Sequence, residues 1–233
     1  MVPWLNRELA FPSVENALIE PDGLLAAGGD LSPARLVLGY SQGIFPWFSP
    51  GEPILWWSPS ERMVLFPAEL RITRSLAKTL RNHPYEIRVD TAFREVMKAC
   101  AAPRDGQPGT WIGPGMVDAY CHLHELGLAH SFETWQQGVL VGGLYGVALG
   151  RMFYGESMFS RVSNASKLAF VHMSRHLQSC GFAMIDCQMY TPHLASLGAR
   201  RIPRHEFLAT LKELVGLSAP EGMWSYRYSN ESP

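Results

Sequence analysis

Two short segments place reactive groups where packing alone would not put them. Tyr154-Gly-Glu-Ser-Met-Phe-Ser160 and Asp186-Cys-Gln188 each set lone polar side chains in an apolar, strand-like stretch. Glu156 stands among Tyr154, Met158 and Phe159, while Asp186 and Gln188 follow Phe182, Met184 and Ile185. Burying a carboxylate or an amide is costly unless it is paired or hydrogen-bonded. Two carboxylates and an amide in such surroundings point to a site that orients and polarises a substrate. A polar network that only fixes the core is the competing reading.

Several other chemistries are absent. The chain has no G-x-x-x-x-G-K-[ST] phosphate loop and no G-x-S-x-G nucleophile elbow. His122 and His124 lie two apart on a helical segment and so do not share a face; with His130 they read as surface or capping residues. Cys100, Cys121, Cys180 and Cys187 form no C-x-x-C pair. They read as reduced thiols of a cytosolic protein, and no metal is expected.

The elements that must position these residues alternate in type. Ser32 and Pro33 begin a helix carrying Leu36, Val37 and Tyr40, which Gly43 stops. Prolines are too dense between Ile44 and Pro59 for a long regular element. The aromatic residues there suit an extended segment packed against the rest of the protein and walling a pocket. After a strand at Met63-Val64-Leu65-Phe66, residues 73–81 read as a helix with Arg74, Lys78 and Arg81 on one face, extended by Arg71. That face is either solvated or grips a phosphate backbone. Asp90 or Thr91 caps a helix bearing Phe93, Val96, Met97 and Cys100. The breaker at residues 103–109 then delivers Thr110-Trp111-Ile112, and Pro114 starts a helix ending at Gly127.

From His130 the period becomes that of strands: residues 131–135, 139–149 and 152–159, with Gln137-Gly138 as a turn. Asn164 caps a helix to about Gln178; residues 182–187 return as a strand, and a last helix follows Pro203. Strands, helix, strand, helix is the order of an N-acetyltransferase-like α/β fold. Yet the strand Val141–Gly150 runs into Arg151-Met152-Phe153 without the Q/R-x-x-G-x-G/A turn that cradles the pyrophosphate of acetyl-coenzyme A. The acyl group must come from another carrier.

Composition agrees with one large or two unequal domains: 233 residues, 47% hydrophobic and 18% charged, with a formal charge of −1. That balance excludes wholesale disorder and a globally basic nucleic-acid binder. No apolar run is long enough to span a bilayer, and the N-terminus lacks a secretory pattern. Nothing demands an oligomer, so a monomer is expected.

Leu24-Leu-Ala-Ala-Gly-Gly-Asp-Leu31, Gly43-Ile-Phe-Pro-Trp-Phe-Ser49, Trp56-Trp57-Ser58-Pro59, Gly109-Thr-Trp-Ile112, Gly155-Glu-Ser-Met-Phe-Ser160, Asp186-Cys-Gln188 and Ser196-Leu-Gly-Ala199 stand in one order. With these motifs the chain resembles the leucyl/phenylalanyl-tRNA–protein transferases from about Phe11 to Phe207. The resemblance implies a bacterial cytoplasmic enzyme of the N-degron pathway. It would move leucine or phenylalanine (methionine less well) from Leu-tRNA or Phe-tRNA to the α-amino group of proteins beginning with Arg or Lys. It also implies a small N-terminal domain (residues 1–62), an N-acetyltransferase-like domain (residues 63–233) and no cofactor.

Site roles follow from the resemblance. Asp186 and Gln188 would act as a relay, the carboxylate polarising the amide whose oxygen draws on the incoming amine. Trp47, Trp111, Leu144, Met158, Leu168, Phe170 and Ile185 would wall the donor pocket and adenine cleft, with Tyr120 and Ser160 also substrate-binding. Glu156 would hold the acceptor's cation, and Arg71, Arg74, Lys78 and Arg81 the tRNA. Leu144 stands where some relatives carry methionine, and Thr191 where many carry asparagine. A coenzyme A acetyltransferase and a non-catalytic RNA-binding module remain the alternatives; the second gives Glu156, Asp186 and Gln188 no purpose.

Overall fold

The computed structural model describes residues 2–103 and 110–230, so most of the breaker at residues 103–109 lies outside the described residues. Two sheets organise the chain. The first contains β1 (Trp4–Leu5), β2 (Leu24–Gly28), β3 (Phe45–Pro46) and β4 (Leu55–Trp57) in the order β1-β2-β4-β3, with α1 (Pro33–Ser41) between β2 and β3. Its strands are as short as the prolines demand. Ser32 caps α1 by accepting from the Arg35 N–H, and Pro33 occupies the first turn. The indoles are anchored by their N–H groups: Trp56 Nε1 donates to the Gly28 carbonyl at 2.9 Å and Trp57 Nε1 to that of Trp47 at 2.7 Å.

The second sheet has eight strands: β5 (Glu61–Leu65), β6 (Glu86–Val89), β7 (Ala129–Gln136), β8 (Val139–Leu149), β9 (Met152–Ser160), β10 (Met184–Asp186), β11 (Arg200–Pro203) and β12 (Arg227–Ser229). They run in the order β11-β5-β10-β9-β8-β7-β6-β12. Within this sheet only β9 and β10 pair in parallel among the described residues. α2 (Arg74–Asn82), α3 (Phe93–Ala101), α4 (Pro114–Glu125), α5 (Ala165–Ser179), α6 (Pro192–Ser196) and α7 (Arg204–Val215) complete the chain. This is the mixed α/β, N-acetyltransferase-like fold expected, preceded by a small N-terminal domain.

Alternation along the strands divides the core in two. Tyr145, Val147, Met152 and Tyr154 pack in one cluster with residues of α1, α3, α4 and α7. Leu144, Phe153 and Ile185 pack in a second with Leu168, Phe170 and Met173 of α5. Gly142 lets α5 close on the sheet, since a Cβ there would come within 2.4 Å of the Ala165 Cβ.

Two helix starts differ from expectation. Neither Asp90 nor Thr91 caps α3: Glu133 on β7 accepts from the Ala92 N–H at 2.7 Å and from the Thr91 hydroxyl. Asp90 is occupied by the Ser131 N–H (2.8 Å) and by His130 Nδ1 (2.7 Å). Asn164 precedes α5, but its amide reaches Thr79 Oγ1 at 3.5 Å, and the Ser160 hydroxyl takes the Ser166 N–H at 2.8 Å.

Candidate active site

β9 and β10 pair from Met152 and Met184 to Tyr154 and Asp186, and β10 then ends while β9 continues along β8. The opening between residues 155–161 and 187–194 is a cavity of about 1040 Å³. Its wall contains Trp47, Trp111, Leu144, Glu156, Met158, Ser160, Phe170, Ile185 and Gln188. Three expected residues are set back from it. Leu168 packs in the core beneath α5, Tyr120 reaches the cavity only through Glu156, and Asp186 lies behind Gln188 with no exposed surface. Arg71, Arg74, Lys78 and Arg81 are exposed on and beside α2, outside the cavity.

Glu156 owes its direction to a β-bulge. Tyr145 pairs with Ser157 and the next residue, Gly146, with Gly155, so Glu156 is the extra residue of β9. Gly146 is required there, because a Cβ would lie 2.2 Å from the Tyr154 carbonyl oxygen. The Glu156 carboxylate accepts from Gln188 Nε2 at 2.7 Å and from the Tyr120 hydroxyl at 3.3 Å. Tyr120 also shares a short hydrogen bond with Tyr40, whose carbonyl accepts from the Tyr154 hydroxyl at 2.8 Å. All these partners are neutral. Burial pushes the Glu156 carboxyl up to about 7, the nearby charge of Asp186 adds to this, and the hydrogen bonds of Tyr40, Tyr120 and Gln188 oppose it.

Asp186 has a different environment. Arg62 on β5 grips it with two hydrogen bonds, Nε to Oδ1 at 2.9 Å and Nη2 to Oδ2 at 2.8 Å. The guanidinium is 1% exposed, gives Nη1 to the Gly43 carbonyl at 3.0 Å, and lies 4.6 Å from the ring centres of both Phe45 and Phe207. Asp186 Oδ1 also accepts from the backbone N–H of Gln188 at 2.8 Å, and the Gln188 carbonyl accepts from the Met63 N–H at 3.1 Å. Gln188 is thereby held in the left-handed region at φ 58°, with its amide directed to Glu156.

The relay expected from the resemblance is therefore rearranged. The carboxylate on the Gln188 side-chain amide is Glu156, and Asp186 meets Gln188 at the backbone N–H. The physical reason is Arg62, whose fork takes both Asp186 oxygens.

Sequence reasoning missed Arg62 and Tyr40, and in the wall Tyr145, Arg161, Ser166, Met173, Cys187, His193 and Leu194. An arginine leading directly into an apolar run, Arg62-Met-Val-Leu65, was the available signal for the first. His124 and His130 do come together, around Asp90. Their ring nitrogens already face protein acceptors, however: His124 Nδ1 the Ala129 carbonyl at 2.8 Å, His130 Nδ1 Asp90, and His130 Nε2 the Gly127 carbonyl at 3.1 Å. The rings stack on Phe93 and Trp224. None of the three lines the cavity.

A mixed sheet that opens between two parallel strands, with a carboxylate and an amide at the opening, is a GNAT-like fold with a cleft where a substrate can be oriented. The family model described as leucyl/phenylalanyl-tRNA protein transferase matches residues 64–212, and that of its N-terminal domain residues 29–60. The chain belongs to this family, and it is an aminoacyltransferase between aminoacyl-tRNA and protein. Leucyl/phenylalanyl-tRNA–protein transferases from Chromobacterium violaceum and Nitrosospira multiformis are 69% and 64% identical to it; the first match covers 100% of each chain, the second 97% of each. Among solved structures it is similar to FemX, with a TM-score of 0.47 and 11% identity over 77% of this chain and 71% of that one. Among the described residues no helix is long and apolar enough to cross a membrane.

Proposed function

We propose that the enzyme moves leucine or phenylalanine, and methionine less well, from tRNA to the α-amino group of proteins beginning with Arg or Lys. It would do so as a cytoplasmic monomer, marking those proteins for degradation. One observation carries the acceptor half of this reading: among the described residues, Glu156 is the only carboxylate in the cavity wall. It stands beside an apolar wall of Leu144, Met158, Phe170 and Ile185, which suits a leucine or phenylalanine side chain and discriminates by shape.

The donor is an activated ester, so catalysis is mainly orientation, worth about 7–11 kcal/mol in the best oriented reactions. The acceptor α-amine, with a reference pKa of about 8, attacks as the neutral base. Gln188, whose Nε2 is committed to Glu156, offers its carbonyl oxygen to an N–H of that amine. Because a neutral amide is a poor base, this contact positions the amine. The amine nitrogen bonds to the ester carbonyl carbon, the C–O bond to the ribose breaks, and the ribose hydroxyl leaves with a proton. Asp186 and Arg62 are positioning residues that fix the Gln188 backbone. Ionised Glu156 receives the acceptor's guanidinium or ammonium, so acceptor binding should strengthen as pH rises through about 7.

The test is transfer of label from radiolabelled Leu-tRNA to proteins differing only in their first residue. Products with Arg and Lys, and none with Ser or Glu, are expected; equal labelling of all four would overturn the acceptor reading. Glu156→Gln should raise the acceptor KM more than the donor KM.

A further inference from the structure

The chain is nearly neutral, with 20 Lys and Arg against 21 Asp and Glu, yet its charges are segregated. Residues 71–83, 157–168 and 187–199 contain Arg71, Arg74, Lys78, Arg81, Arg161 and Lys167 and not one Asp or Glu. The three segments adjoin. The Arg71 N–H donates to the Leu197 carbonyl at 2.9 Å, Asn164 reaches Thr79 on α2, and the second and third segments face each other across the cavity. An acid-free surface therefore runs from the helical row on α2, about 10 Å long from Arg74 to Arg81, over residues 161–167 to the cavity mouth.

Arg161 is fixed at that mouth. Nη1 donates to the Leu140 carbonyl at 2.9 Å, and the guanidinium lies 5.5 Å from the Phe159 ring centre while the residue remains exposed. Lys167 lies in the first turn of α5 beside Ser166, which lines the cavity. Its charge, second to burial, holds His193 on the opposite wall below the ordinary imidazole pKa. Neither cation forms a salt bridge among the described residues. Unpaired cations on an acid-free surface are what a polyanion's backbone requires.

We infer that Arg161 and Lys167 form a phosphodiester site that holds the 3′-terminal strand of the donor RNA as it passes from α2 into the cavity. This rests on the reading that the cavity takes the aminoacyl end. It rests equally on the expectation that the α2 row meets the tRNA; a strand joining the two then has to cross these two cations.

A donor without phosphates tests the site. Transfer by the wild type and by Arg161→Ala/Lys167→Ala is compared with leucyl-tRNA and with a leucyl ester of adenosine. The KM for leucyl-tRNA should rise about tenfold more than that for the adenosine ester. The log–log salt slope of deacylated tRNA binding should become shallower by about 1.4, at roughly 0.7 per single-strand phosphate contact. An equal loss with both donors would show that the cations build the cavity, and an unchanged salt slope would show that they meet no phosphate; either overturns the inference. If the wild type transfers from neither donor, the functional reading fails, and the tRNA-binding arm alone decides this one.

Discussion

Asp186 and Glu156 are two buried carboxylates on neighbouring strands, 0% and 8% exposed, and they are handled in opposite ways. Asp186 faces a buried guanidinium with both oxygens and a backbone N–H with one of them. Glu156 has an amide and a phenol as partners, and its carboxyl is pushed up to about 7. The first arrangement is a closed ion pair with nothing left to offer a substrate. The second is a carboxylate still short of a cation, at the edge of a cavity. The contrast separates the residue that builds the site from the one that meets the substrate, although both carry the same functional group.

The largest expected effect comes from breaking the closed pair. Asp186→Asn leaves the Arg62 charge buried without a counter-ion, which should cost about 3–5 kcal/mol of stability, read by denaturant unfolding. Replacing the pair together, Arg62→Met with Asp186→Leu, should recover most of that loss, because an apolar pair of similar volume needs no compensation. The double variant should still transfer no label, since the Gln188 N–H has lost the oxygen that fixes it. A double variant as active as the wild type would remove the positioning role.

Glu156→Gln should act with the opposite sign. The folded protein binds the Glu156 proton more tightly than the unfolded chain, where the carboxyl titrates near 4.5. The stabilisation is therefore present in full below pH about 4.5 and is lost as pH rises through about 7. Above that the wild type carries a buried, unpaired charge that the variant lacks. Unfolding at pH 8 should find the variant more stable by up to about 3 kcal/mol, the shift converted at 1.36 kcal/mol per unit, with the advantage gone at pH 4. A difference independent of pH would mean that Glu156 is compensated after all.

How legible each half was in the sequence follows from the same contrast. Periodicity places α1, α2, α4 and α5, and the Ser32-Pro33 start fixes that of α1, because a helix face and a Ser-Pro start are local facts. Glu156, Asp186 and Gln188 stand out because their neighbours are apolar. Their pairing was not legible, since Arg62 lies 124 residues before Asp186 in the chain and nothing local matches the two. The bulge that turns Glu156 out of β9 depends on which strand pairs with which, in what register. The same holds for the Glu133 cap of α3, supplied from a strand 41 residues away from Ala92. Residues 104–109 lie outside the described chain.

The smallest effect probes the spare capacity beside Glu156. Tyr145 is fully buried next to it and lines the cavity, with its ring edge-on to Tyr120 at 5.7 Å and to Phe93 at 6.0 Å. Its hydroxyl has no hydrogen-bond partner among the described residues, whereas every oxygen of Asp186 has one. Burial and, after it, the charge of Glu156 push this phenol above its ordinary pKa, so it stays protonated. Tyr145→Phe keeps the ring contacts and removes an unmet polar group, whose burial costs about 1–3 kcal/mol. The variant should be as stable as the wild type or about 1 kcal/mol more stable, and a rise in acceptor KM alongside would assign the hydroxyl to the substrate. A loss of stability would mean that the hydroxyl is satisfied through a buried water. Glu156 would then sit in a network as closed as that of Asp186, and the difference between the two carboxylates would reduce to the guanidinium alone.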